Sequence, residues 1–319
     1  MRLSNIHSSL LGIAVFLTAT LILWKPGTNP KETRSPVDEA KRGVFFAAAR
    51  SQTRVAAAGE HGRILYSTDK GKTWVRGRTP FDVPLTGIYL LNDRLGWAVG
   101  YDGVILKTRD GGASWACVKK PLPQNPPLFA VWFKDKNTGL AVGADSMVYR
   151  TVDGGIHWNA AKMEVQSHLY SIAETDDGQL WIAGENHTLY HSPDLGIHWQ
   201  KIEPPFTGSF FGSLPLPDHK LMTFGLRGRI SLWDTSGLLK SKKETDENLL
   251  AGVRLQDGRI ILVGQRGRVL IGQDDKGWLF RSMKISPEED IGAVVEVTDA
   301  LIFTGEFGIL RIPKSDMGI

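Results

Sequence analysis

The chain has 319 residues, with 38 Lys and Arg against 34 Asp and Glu and a sequence pI near 9.0. The composition is that of an ordinary globular protein. A net charge of +4 is too modest to argue for nucleic-acid binding, and no reading motif is present. A single cysteine, Cys117, excludes an intrachain disulfide, and without a Cys/His cluster neither a structural zinc site nor any cofactor is expected.

The first element is an apolar run from Leu10 to Trp24, "LLGIAVFLTATLILW". Its length is marginal for a bilayer span, which needs about 17 residues or more. Small residues suited to signal cleavage are poorly placed; "TAT" at 18–20 is the one candidate, and no cysteine follows to take a lipid. Residues 1–24 therefore read as an uncleaved signal-anchor helix, with export after cleavage as the alternative. A short N-terminus kept inside would place the large domain in the periplasm, anchored to the inner membrane. Residues 25–42 read as a linker.

Residues 43–319 are repetitive. The stretch "STDKGKTW" at 67–74 returns as "TRDGGASW" at 108–115, "TVDGGIHW" at 151–158 and "SPDLGIHW" at 192–199, with the aspartates 41, 43 and 41 residues apart. Upstream of each box an apolar strand ends in glycine, at Gly59, Gly100, Gly143 and Gly184. This second marker outlasts the boxes and continues at Gly225, Gly264 and Gly305, giving seven units. In the second unit four strands are expected, at about Thr86–Asn92, Gly96–Tyr101, Val104–Thr108 and Trp115–Lys119. Four strands in about 40 residues is the signature of a β-propeller blade. The expected fold is all-β: a seven-bladed propeller with four-stranded blades, preceded by the hydrophobic helix. The chain stops after the third strand of unit seven, so a segment within Lys31–Arg42 is expected to supply the missing outer strand, with a three-stranded last blade as the alternative.

The box falls between the third and fourth strands. Its Asp is suited to accept backbone amides in a tight turn, its Gly permits positive φ, and its Trp can fill the seam between blades. Asp69, Trp74, Asp110, Trp115, Asp153, Trp158, Asp194 and Trp199 are thus read as structural. The box pattern resembles that of bacterial sialidases, but their chemistry needs an arginine triad, a Tyr–Glu pair and an acid/base Asp. "LRIP" at 310–313 sits at the wrong repeat position for the triad, and no tyrosine stands out as a nucleophile. Catalytic residues are not assigned. An Asp-box glycoside hydrolase acting on an anionic glycan is kept as the alternative function. It would require a carboxylate pair beside the axis, with Glu60, Glu185 and Glu306 the glutamates on the relevant turns.

The turns between second and third strands open on the opposite face. There "GLRGRI" and "GQRGRV" are near copies, placing Arg227, Arg229, Arg266 and Arg268 on adjacent blades, with Arg63 and Arg311 able to extend the patch. From Lys220 to Lys284 there are 13 Lys/Arg against 7 Asp/Glu; from Leu128 to Glu203 there are 5 against 10. One sector is basic and another acidic, which suits a docking face.

The box repeats "TRDGGASW" and "TVDGGIHW", the blade motif "GWAVGYDGVILKTRDGG" and the arginine cluster resemble the photosystem II assembly/stability factor propellers of cyanobacteria and chloroplasts. The resemblance is clearest over Gly96–Trp158. It implies a non-catalytic scaffold that helps a membrane complex assemble and docks an integral membrane protein through its arginine-rich face; the propeller itself is expected to be monomeric. By repeat position that face maps to Arg227, Arg229, Arg266 and Arg268, with Arg63 beside them.

Overall fold

The computed structural model describes Ala40, residues 42–273 and residues 279–319. The expected N-terminal helix, the tether and most of the expected closing segment lie outside the described residues. Among those described, no helix is long and apolar enough to cross a membrane.

Seven antiparallel meanders form seven blades. Blade one comprises Phe45–Arg50, Val55–Gly59, Ile64–Ser67 and Val75–Arg76; blade two comprises Leu85–Leu90, Gly96–Gly100, Ile105–Thr108 and Ala116–Lys119. The expected strands of blade two are met within two residues. The inner strands of successive blades are neighbours, and the seventh, Ile291–Glu296, returns to the first, so the ring closes. Blade seven has three strands among the described residues, with Gly308–Pro313 outermost.

The blades are held by apolar seams, because the second strands are buried throughout, as in "VAAAG" at 55–59 and "LWIAG" at 180–184, or along all but a first basic residue, as at Lys220 and Arg259. A strand covered on both faces has no reason to alternate, so its sequence is a short continuous apolar run. The last seam joins Phe45, Ala57 and Leu65 of blade one to Val295, Ala300 and Ile302 of blade seven, with Ala40 buried among them. Beside it Glu296, 1% exposed, accepts the Gln256 amide at 3.0 Å and Lys314 Nζ at 2.5 Å, with Arg50 at 4.0 Å. Blades six, seven and one thus meet on one buried carboxylate.

The recurrent marker glycine has a steric cause. A Cβ at Gly59, Gly100 or Gly143 would stand 2.1 Å from the carbonyl oxygen of Val44, Pro84 or Pro127, each just before the inner strand of the same blade. The chain entering each blade passes directly over that backbone. Beyond this point every inner strand carries a bulge, since the pairing register skips one residue. The skipped residue is Phe46 in blade one, Thr86 in two, Phe129, Tyr170 and Phe211 in three to five, Leu250 in six and Gly292 in seven.

Candidate functional site

The four boxes share one hydrogen-bonded turn. In the first, the Ser67 hydroxyl donates to Asp69 Oδ1 at 2.7 Å and accepts the Gly71 amide at 2.8 Å. Asp69 Oδ1 also accepts the amides of Lys72 and Thr73, and Oδ2 accepts the Thr73 hydroxyl at 2.6 Å. Burial works to raise the Asp69 carboxyl, but hydrogen bonds from Thr73, Ser67 and Lys72 outweigh it and lower it to about 2. Asp110 repeats the arrangement with Thr108 and Ser114. At Asp153 and Asp194 the last donor is the Nδ1 of His157 or His198, each 2.7 Å from the carboxylate. The Trp of each box packs into the seam with the preceding blade. Trp74 and Trp115 are buried at 7% and 5%, while Trp158 and Trp199 are only partly covered. These side chains work within their own turns and seams.

The opposite face is built from two-residue turns between the second and third strands. In blades one to six both turn residues have positive φ, the geometry that matches strand twist in a tight hairpin. The first position holds His61, Asp102, Asp145, Asn186, Arg227 and Arg266. Asp and Asn tolerate the left-handed region; arginine does so at a cost of about 1–2 kcal/mol. Arg227 and Arg266 nevertheless occupy it, with φ of 51° and 53°. Their backbones are pinned from the next blade: the Arg227 amide donates to Asn248 Oδ1 at 2.8 Å and the Arg266 amide to Asp290 Oδ1 at 3.0 Å. Both side chains are exposed, and their guanidinium groups have no hydrogen-bonding or ionic partner among the described residues.

The other expected docking arginines are engaged elsewhere. Arg268 forms a two-pronged bond to Glu247, at 2.7 and 3.2 Å, and donates to Ser282 Oγ at 2.6 Å. That pairing with Arg268, against the opposing effect of burial, lowers the Glu247 carboxyl to about 2. Arg229 lies over the Phe206 ring, 4.5 Å from its centroid, and donates to Ser241. Arg63 donates to the Arg42 carbonyl and sits over Phe45. Arg311 reaches the Lys70 carbonyl and Asp299 carboxylate, which belong to turns of the box face, so it does not extend the patch. Arg229 and Arg268 follow the turn glycine and start the third strand, where neighbouring side chains engage them, whereas Arg227 and Arg266 at the turn position point free. Of the six expected arginines, Arg227 and Arg266 are the two whose guanidinium groups have no partner among the described residues.

The same face carries an aromatic arc that the sequence reading missed. Phe129, Tyr170 and Phe211, the bulged residues of blades three to five, meet in series with ring centroids 5.5 and 5.7 Å apart. His168 lies 6.1 Å from Phe129 and 6.3 Å from Tyr170. Burial, together with the charge of Glu185 and a hydrogen bond to it, pushes the Tyr170 phenol upward. Glu185 also accepts the His168 amide at 3.0 Å. Tyr170 takes its place in this arc by ring contacts and is not assigned as a nucleophile. A signal was available: Phe129, Tyr170 and Phe211 are 41 residues apart, the period of the boxes. Of the other candidate glutamates, Glu306 is raised by burial and by the neighbouring Asp290 and Glu289.

Comparisons with known proteins fit this architecture. Residues 111–206 match the family profile described as the photosynthesis system II assembly factor YCF48. Over 75 residues the chain is 32% identical to the photosystem II assembly lipoprotein Ycf48 of Synechocystis sp., covering 23% of this chain and 22% of the relative. Over 67 residues it is 36% identical to the chloroplastic photosystem II stability/assembly factor HCF136 of Oryza sativa subsp. japonica, covering 20% and 16%. These alignments span about a fifth of the curated relatives' length. Among solved structures, YCF48 bound to D1 peptide superposes with a TM-score of 0.70 at 16% identity, over 88% of this chain and 96% of that one. YCF48 from Cyanidioschyzon merolae gives 0.67 at 14% identity, over 86% and 97%. The WD40 propeller of Doa1 also gives 0.70 at 14% identity, over 84% and 92%, so these superpositions speak for the fold alone. In sequence, residues 111–206 are similar to the photosystem II assembly factor-like propellers, and the described ring has the propeller fold that their solved relatives show.

Proposed function

We propose that this protein is a non-catalytic assembly scaffold that docks an integral membrane protein through its arginine face. One observation carries the reading: Arg227 and Arg266 stand exposed at left-handed turn positions, with backbones pinned and guanidinium groups unpartnered among the described residues. Backbone strain of this kind is retained where function needs the side chain there. An exposed guanidinium suits a carboxylate on a partner and speeds its encounter. The curated relatives named above are assembly factors, and one solved relative is described as bound to D1 peptide. By that precedent the partner segment is a peptide of a membrane protein, and the two free guanidinium groups call for carboxylates on it. In this reading residues 1–24 tether the propeller to the inner membrane and the ring works in the periplasm.

The test is crosslinking and pull-down from native membranes, comparing the protein with Arg227→Ala/Arg266→Ala. The double variant is expected to lose a specific membrane-protein partner that the native protein captures. Arg268→Ala, which breaks the Glu247 pair, is expected to destabilise the fold while leaving the partner set intact. An unchanged partner set in the double variant sinks the arginine face as the docking site.

A further inference from the structure

The aromatic arc and the two free arginines share one face. Phe129, Tyr170 and Phe211 come from blades three to five, and Arg227 and Arg266 from the turns of blades five and six. The arc belongs to inner strands, which border the central channel of a propeller. Its members are the bulged residues, at the strand ends where the chain passes over the turns. A bulge re-aims the side chain it carries and leaves it out of the ladder. Three consecutive blades therefore turn an aromatic ring out of the regular pattern at the same height. Their contacts are tilted, with interplanar angles of 51° and 54°. Phe211 is buried at 8%, whereas Phe129 and Tyr170 keep part of their surface exposed. Phe211 is thus the covered end of the arc, and Phe129 and Tyr170 its open part.

The arc does not run round the whole ring. The equivalent position holds Leu250 in blade six and Phe46 in blade one, but Gly292 in blade seven and Thr86 in blade two separate Phe46 from the arc, and the Thr86 hydroxyl donates to the Leu128 carbonyl. The three rings that touch in series lie on blades three to five, and the run adjoins the basic sector at blade five. Glu185 accepts the His168 amide at 3.0 Å, and the His168 ring in turn packs against Phe129 and Tyr170.

Resting on the docking reading above, we infer that the mouth of the central channel on this face takes one apolar, preferably aromatic, side chain of an extended acidic peptide. The ring lies against Phe129 and Tyr170 while carboxylates of the same peptide meet Arg227 and Arg266. Charge complementarity selects the acidic peptide. Aromatic edge and face contacts favour an aromatic side chain over an aliphatic one of similar size. The arginines supply attraction that salt screens, and the arc supplies selectivity that salt does not.

The test uses the whole protein and two fluorescent twelve-residue probes of alternating Glu and Ala, one with a central Phe and one with Ala in its place. Titration by fluorescence anisotropy is expected to show the Phe probe binding about tenfold more tightly, a preference retained at high salt. Phe129→Ala and Tyr170→Ala are expected to erase that preference, and Tyr170→Phe to keep it. Arg227→Ala/Arg266→Ala is expected to weaken both probes equally and to flatten their salt dependence. Equal binding of the two probes to the native protein, still lost in the arginine variant, overturns the channel-mouth site and leaves the docking face standing. A Phe preference that survives Phe129→Ala, in protein with an unchanged thermal midpoint, also overturns it. Binding of neither probe overturns both readings; if sialyllactose binds instead and Phe129→Ala abolishes that, the occupant is a glycan.

Discussion

The two faces of the ring place their charged side chains under opposite constraints. On the box face Asp69, Asp110, Asp153 and Asp194 each bond amides and hydroxyl or imidazole groups within a single turn. On the opposite face Arg227 and Arg266 stand clear, and the bonds of their turns are made by the backbone to Asn248 and Asp290. In the first case the charged group is what holds the turn; in the second the turn is what holds the charged group. A motif that repeats around a ring thus reports the fold, and a departure from the repeat, arginine where blades two to four have Asp or Asn, reports where function is to be sought.

The comparison breaks most visibly at the seams under the boxes. Trp115 is 5% exposed and donates its Nε1–H to the Gly112 carbonyl at 3.1 Å. Trp115→Ala should cost about 3–5 kcal/mol, read as a lowered midpoint in chemical denaturation. A loss well below 1 kcal/mol would mean that the box tryptophans do not hold the seams.

Next comes the box carboxylate. Asp69→Ala strips acceptors from two amides and two hydroxyls and should cost about 1–3 kcal/mol. The pH dependence follows from a carboxyl lowered in the folded state to about 2, from an ordinary value of about 3.9. The contribution is fully present above the ordinary value and is lost as pH falls through about 2. The difference in stability between native and Asp69→Ala protein should therefore shrink on acidification below pH about 4. A difference that holds constant down to the acid transition contradicts the bonding described for this turn.

The smallest effect sharpens the contrast, because its sign is reversed. Arg227→Gly relieves a left-handed residue and should stabilise the fold by up to about 1 kcal/mol while weakening partner docking. Residue types that gain stability as they lose binding mark a position kept for its side chain. If Arg227→Gly destabilises the ring, the arginine is contributing to the fold itself and the two faces are less different than they look.

Much of this was legible in the residues. The period of the boxes and of the marker glycine specified seven units, and continuous runs such as "GLAVG" at 139–143 specified strands buried on both sides. The glycine itself was readable as a boundary, but the reason for it, a backbone carbonyl 2.1 Å from any Cβ, involves a chain segment more than ten residues away. The arginine face was half legible. Sequence spacing put Arg227, Arg229, Arg266 and Arg268 on two turns, yet which of them remains free depended on Glu247, Ser241, Ser282 and Phe206.

By itself, then, the sequence determined the number of blades, the order of strands within each and the turns in which the boxes fall, because these follow from local periodicity and turn chemistry. The tertiary structure alone decided which charges pair across strands and which aromatic rings meet across blades. Phe129, Tyr170 and Phe211 occupy one register on three inner strands, but each lies 41 residues from the next. Only closing the ring, with a bulge at the same height in each blade, brings them into contact. Pairing and contact of that kind are properties of packing between repeats, and no single repeat contains them.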